Sequence, residues 1–213
     1  MTGNLLIKVC GILHVGNRQL LESLPIDLFG FIFHPPSPRY AGNLSTGELA
    51  ALTNTSKSRA GVFVNATVNE MLERARQANL THLQLHGEET TGSCLELKQE
   101  GYTVIKAFGL HDAFQFETLE AYCGVVDYFL FDTQSAQKGG TGQKFNWKLL
   151  EAYPFEVPYF LSGGIGPGDA VNIGSLSHKA FRGIDLNSRF EDAPGLKNHR
   201  ALHEFLNQLI SIL

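Results

Sequence analysis

The chain places a thiol and a carboxylate at the ends of apolar stretches. Cys10 comes near the end of LLIKVCGI (residues 5–12), and Asp132 near the end of VVDYFLFDT (residues 125–133). Alternation along a strand puts Leu6, Lys8 and Cys10 on one face and Leu5, Ile7 and Val9 on the other. The second face is wholly apolar and should pack against something dry. The first carries an amine and ends in a thiol. Gly11 then lets the backbone turn with little bulk beside the sulfur. Cys10 therefore reads as a working group at the exposed end of a buried strand, although a free cysteine is most often a small core residue. Lys8 and Lys106 share the inward parity of Cys10 and Phe108, and can pair with buried acids or raise the thiolate population. Asp132 is hard to explain as packing, since aspartate is rarely buried without a partner. Its plainer use is to cap the loop that follows.

Other chemistries leave weaker marks. His82 and His86 lie four apart, but on an alternating strand, THLQLH, and no HExxH occurs. A hydrogen-bonded wall suits them better than a metal. The GGTG run lacks GxxxxGK[ST], so residues 134–145 read as a lid over a site, not as a phosphate loop. The three cysteines are far apart and show no CxxC or Cys/His spacing, which disfavours a disulfide scaffold or structural zinc. Net charge is −4, from 17 basic and 21 acidic residues with no basic block, so nothing points to nucleic acid. No signal-peptide pattern or membrane-length apolar run is present, and a reducing, cytoplasmic setting is expected.

The elements that must carry these residues alternate in type. Apolar or alternating strands are expected near 5–12, 27–33, 59–65, 81–86, 102–108, 125–133, 157–164 and 179–187. Helical stretches lie between them. Asn17 can cap the first, with Leu20, Leu21 and Leu24 on one side. Ser45–Glu48 and Thr67–Glu70 fit capping boxes, and Met71, Leu72, Ala75 and Ala78 form one stripe. Asp112 can cap a helix towards Tyr122, Asn146 one at Trp147, and Pro167 suits a first turn. Leu202, Phe205, Leu206, Leu209, Ile210 and Leu213 follow the spacing of an amphipathic final helix.

Repeated strand–helix units imply a parallel sheet with right-handed crossovers. Eight of them in 213 residues imply an α/β fold, one eight-stranded (β/α)8 barrel domain over residues 1–213. An open doubly wound sheet is the alternative, but no GxGxxG follows the first strand. In a barrel the site lies at the C-terminal ends of the strands. Cys10, Arg39, Asn65, His86, Asp132, Gly163, Gly164, Asp185 and Asn187 all fall there and should converge on one mouth.

The motifs together resemble the phosphoribosylanthranilate isomerases of tryptophan biosynthesis. The likeness is carried by KVCGI, GFIFHPPSPRY, GVFVN, LQLHGEE, FDT, GGTGQKFNW, LSGGI and GIDLNSRFE, in order along the whole chain. It implies a cofactor-free Amadori rearrangement of N-(5-phosphoribosyl)anthranilate to the 1-deoxyribulose phosphate. Asp132 matches the family's general acid, and Cys10 its general base. Arg39 matches the residue facing the anthranilate carboxylate, a pairing suited to a planar guanidinium. His86 and Asp185 would sit against the substrate. Its phosphate would rest on backbone N–H groups at Gly163–Gly164 and around Asn187–Ser188. An ordinary cysteine is only a few per cent thiolate at pH 7, so the site must favour the anion or use a minor fraction. Relatives often carry glycine where this chain has Arg189. That change implies either a differently shaped loop or an added phosphate contact.

The resemblance implies a small phosphosugar–anthranilate partner; charge and hydropathy give no reason to expect nucleic acid or membrane, and a monomer is expected ahead of a homodimer. Two other readings remain open. One is the analogous histidine-pathway aminoaldose isomerase, which resembles a two-aspartate arrangement with an acid where Cys10 stands. The other is a phosphosugar-binding barrel without catalysis.

Overall fold

The computed structural model describes residues 5–133 and 146–213. The lid expected at 134–145, and with it most of GGTGQKFNW, lies outside the described residues.

Eight parallel strands close into a barrel in sequence order: β1 (Leu6–Cys10), β2 (Leu28–Ile32), β3 (Ser58–Phe63), β4 (His82–Leu85), β5 (Thr103–Leu110), β6 (Tyr128–Thr133), β7 (Tyr159–Leu161) and β8 (Phe181–Leu186). Pairing of β1 with β8 shuts the ring, with Lys8 opposite Asp185. Helices α1 (Val15–Leu21), α2 (Thr46–Thr53), α3 (Val68–Gln77), α4 (Thr91–Gln99), α5 (Ala170–Gly174) and α6 (His199–Ile212) join the strands or follow them. Each strand divides its side chains between two dry regions. Val9, Phe29, Phe31, Leu83 and Phe131 pack towards the helices. Ile105, Ala107, Leu130 and Phe160 fill the inside. No helix among the described residues is long and apolar enough to cross a membrane.

Both expected capping boxes form. The Ser45 and Thr67 hydroxyls accept the Glu48 and Glu70 N–H groups, and each glutamate reaches back to its cap backbone. Asn146 caps the turn at Trp147, and Pro167 opens a helical turn.

Several local expectations are corrected. Asn17 does not cap α1; His14 holds that position, and the Asn17 side chain is buried against residue 197. Leu20 faces solvent at 62% exposure, as do Ile210 and Leu213 on the final helix. Asp112 caps nothing. A 3-10 stretch, Phe116–Tyr122, starts after Gln115 in place of the expected helix. Lys106 and Phe108 point away from the barrel interior, since Ile105 and Ala107 hold the inward positions of β5. Lys106 instead pairs with Glu89 at 3.1 Å outside the sheet. A short hairpin not expected from sequence, β9 (Glu191–Ala193) with β10 (Leu196–Lys197), follows β8.

Candidate active site

Inward rows on four strands carry five polar side chains at or near their ends. Leu6–Lys8–Cys10 runs up β1, His82–Gln84–His86 up β4, Tyr128–Leu130–Asp132 up β6, and Gly183–Asp185–Asn187 up β8. A period of two keeps each row inside until the strand stops. These rows bring Cys10, His86, Asp132, Asp185 and Asn187 to one mouth. Arg39 reaches it from the loop after β2, with its Cδ beside Gly11.

Lys8 lies beneath, fully buried, and donates to Asp185 Oδ1 at 2.9 Å. Burial pushes the Lys8 ammonium down, but Asp185 and Cys10 outweigh it and hold its pKa above the usual value. Burial raises the Asp185 carboxyl against the pull of that ammonium, and Asp132 and His86 also act on it across the mouth. Asp185 thus stands electrostatically between the Cys10 side and the Asp132 side.

Cys10 is only 3% exposed, so its sulfur lies under the opening, not in it. Burial raises the thiol pKa; Lys8 and Lys197 pull it back, and Asp185 adds to the rise. Burial thus counts against the thiolate by more than the two ammoniums favour it. Gly30, paired with Cys10, makes the room: a Cβ there would sit 2.6 Å from Sγ.

Asp132 and His86 are each about one-third exposed, with His86 Nε2 3.5 Å from Asp132 Oδ2. The Gln84 amide nitrogen lies 2.9 Å from His86 Nδ1. With that amide donating, the ring carries its own proton on Nε2, facing the carboxylate. Asp132 Oδ1 accepts the Thr133 N–H at 2.7 Å, so the carboxyl does turn onto its following residue while keeping Oδ2 at the mouth. His82 lies at the opposite end of β4, its pKa lowered to about 4 by burial and by Lys8. Among the described residues no group of three His, Cys, Asp or Glu could hold a metal.

Gly163 and Gly164 both take positive φ, +86° and +68°, which favours glycine. Among the described residues their N–H groups carry no hydrogen bond, and neither does that of Ser188. A Cβ on Gly163 would lie 2.7 Å from Asp132 Oδ1 and strike Thr133, so this glycine also clears space for the carboxyl. Arg189 sits in a 3-10 turn without positive φ, and its stem packs along Gly166. The loop therefore closes without a glycine at that position.

Sequence reading missed one cluster. The Glu191 carboxylate receives Arg39 Nε at 2.9 and 3.0 Å, Arg39 Nη2 at 2.6 Å, Lys197 Nζ at 2.6 Å and the Gly195 N–H at 3.1 Å. Lys197 also donates to Asn187 Oδ1 at 2.7 Å. Asn17 grips the Lys197 backbone on both sides, accepting its N–H and donating to its carbonyl, each at 2.8 Å. Burial alone would raise Glu191, but Arg39 and Lys197 hold its carboxyl below the usual range. Lys197, deprived of water, is pulled down.

Comparison with known proteins gives a consistent result. The profile of a family described as N-(5'phosphoribosyl)anthranilate (PRA) isomerase matches residues 7–208. An N-(5'-phosphoribosyl)anthranilate isomerase of Parabacteroides distasonis is 42% identical over 97% of this chain and 94% of its own. One from Phocaeicola vulgatus is also 42% identical, over 96% and 98%. A crystal structure of a phosphoribosyl anthranilate isomerase in complex with reduced 1-(o-carboxyphenylamino)-1-deoxyribulose 5-phosphate superposes with a TM-score of 0.81. That structure is 27% identical and covers 98% of this chain and 100% of its own.

Proposed function

The chain belongs to the N-(5'-phosphoribosyl)anthranilate isomerase family and is an isomerase of N-(5'-phosphoribosyl)anthranilate, and we propose that Cys10 and Asp132 carry its proton transfers. The observation that supports this most is the convergence of the β1 and β6 inward rows on one mouth, with Asp185 between them.

Asp132 acts first. Its carboxyl gives a proton to the ring oxygen as the bond from that oxygen to C1 breaks, and the nitrogen lone pair forms the C1=N Schiff base. Cys10, as thiolate, then takes the proton from C2. The electrons of that C–H bond form C1=C2 and return the nitrogen its lone pair, leaving an enolamine. Loss of the C2 hydroxyl proton and protonation at C1 yield the ketone. Each transfer needs its group within hydrogen-bond reach of the sugar.

The raised thiol means that the base works from a small ionised fraction, which the buried ammoniums of Lys8 and Lys197 support. Asp185, fixed by Lys8, and His86 line the sugar between the two groups. The phosphate rests on the N–H groups of Gly163, Gly164 and Ser188 with the Asn187 turn, as barrel phosphate sites are usually built. Arg39 faces the anthranilate carboxylate. A monomer ahead of a homodimer and a cytoplasmic setting belong to the same proposal, a free buried thiol suiting a reducing compartment.

The experiment is turnover followed by loss of the substrate's anthranilate fluorescence. Wild type should convert substrate. Cys10→Ser and Asp132→Asn should lower kcat by about 10²–10⁴ while binding the reduced product analogue nearly as well. Wild-type kcat retained in either variant would refute that residue's role.

A further inference from the structure

Arg39 is held along one edge only. Nε and Nη2 are taken by Glu191, whose side chain is 4% exposed. A guanidinium has five N–H donors in a rigid plane. With the Nε–Nη2 edge occupied, the Nη1–Nη2 end still offers a two-pronged fork, and among the described residues Nη1 makes no hydrogen bond. The Arg39 stem lies against Gly11, where a Cβ would come 2.6 Å from Cδ and 3.0 Å from Asn187 Oδ1. Stem and plane are therefore both fixed.

Glu191 does not neutralise the site. One carboxylate faces two cations, Arg39 and Lys197, so the cluster keeps a surplus positive charge beside Cys10. Lys197 is in turn fixed through its backbone by Asn17 and through Nζ by Asn187. A carboxylate so held can orient a cation without cancelling it.

We infer that Glu191 is a positioning residue that makes the enzyme selective for an aromatic amine bearing a carboxylate, by aiming the free fork of Arg39 at that group. This rests on the reading of Arg39 as the carboxylate partner. Without Glu191 the guanidinium plane would be free to turn at the end of its stem, and a planar two-point contact would become an occasional one-point contact.

The test compares two ligands: reduced 1-(2-carboxyphenylamino)-1-deoxyribulose 5-phosphate and its phenylamino counterpart lacking the carboxyl. Dissociation constants are measured for wild type, E191Q, E191D and R39A. Wild type should prefer the carboxylated ligand, and R39A should abolish the preference. E191Q and E191D should each cut it about tenfold, the scale of one charge-assisted hydrogen bond. The carboxyl-free ligand should bind nearly unchanged, which also shows that the barrel is folded; E191D keeps the charge and serves if E191Q does not fold. For turnover, E191Q should raise KM with kcat little altered. In an R39A background E191Q should have no further effect on the preference. Preference retained in both Glu191 variants, or both ligands weakened alike, overturns the inference. Preference retained in R39A instead overturns the reading of Arg39, and the inference with it.

Discussion

Gly30 and Cys10 face each other across the β1–β2 pairing, and the sulfur fills the space that a Gly30 side chain would need. The glycine thereby fixes where the thiol can point. Gly30→Ala should push Sγ aside or part the strands at their ends. The expected outcome is a fall in kcat of at least about tenfold with a stability loss of about 1–3 kcal/mol, as for overpacking. Kinetics and urea unfolding check it. Unchanged kcat would show that the position of the sulfur does not matter.

The Cys10 thiol should titrate above the ordinary cysteine range, because burial outweighs the two nearby ammoniums. Ultraviolet thiolate absorbance of wild type minus Cys10→Ser reads this directly. Lys197→Met removes a cation that favours the thiolate, so the midpoint should move further up. A midpoint below about 8.5, or a downward move in Lys197→Met, would contradict the electrostatics described.

Asp185→Asn should be costly to the fold. It leaves the fully buried Lys8 ammonium without its carboxylate, and breaking such a pair typically costs about 3–5 kcal/mol. Replacing both, with Lys8→Met and Asp185→Leu, should recover much of that stability while activity stays lost. Urea midpoints at neutral pH distinguish the two.

Glu191 makes stability depend on acidity. Its folded carboxyl lies below its unfolded value, so its contribution is present above the unfolded pKa and is lost as pH falls through the folded one. Wild type should exceed Glu191→Gln in stability at neutral pH. The gap should hold down to about pH 5 and close below about pH 4, since unfolded glutamate titrates near 4.3. A gap that stays open in acid would mean that the carboxylate's charge is not what stabilises.

What could be read from sequence was whatever strand alternation dictates. Cys10, His86, Asp132 and Asp185 each sit at a strand end with a clear inward parity, so their meeting followed once the barrel was assumed. Lys106 was misplaced because YTVIKAF is apolar on both faces, and parity cannot be read from a run buried on both sides. Asn17 looked like a cap because its true partner, Lys197, is 180 positions away. Glu191 and Lys197 escaped for the same reason: their hairpin has no apolar run, and their worth comes from contacts with the start of the chain. Gly30 did leave a signal, a glycine inside an apolar strand, which marks close approach.

The grip of Asn17 on Lys197 also bears on how the enzyme comes into being. The sulfur of Cys10 leaves the ribosome well before Asp185, Asn187 and Lys197, which follow it in the chain. A nascent chain that has not yet reached the hairpin lacks a finished reaction centre. Ring closure at the β1–β8 seam and birth of activity are one event, and any truncation short of that hairpin forfeits both.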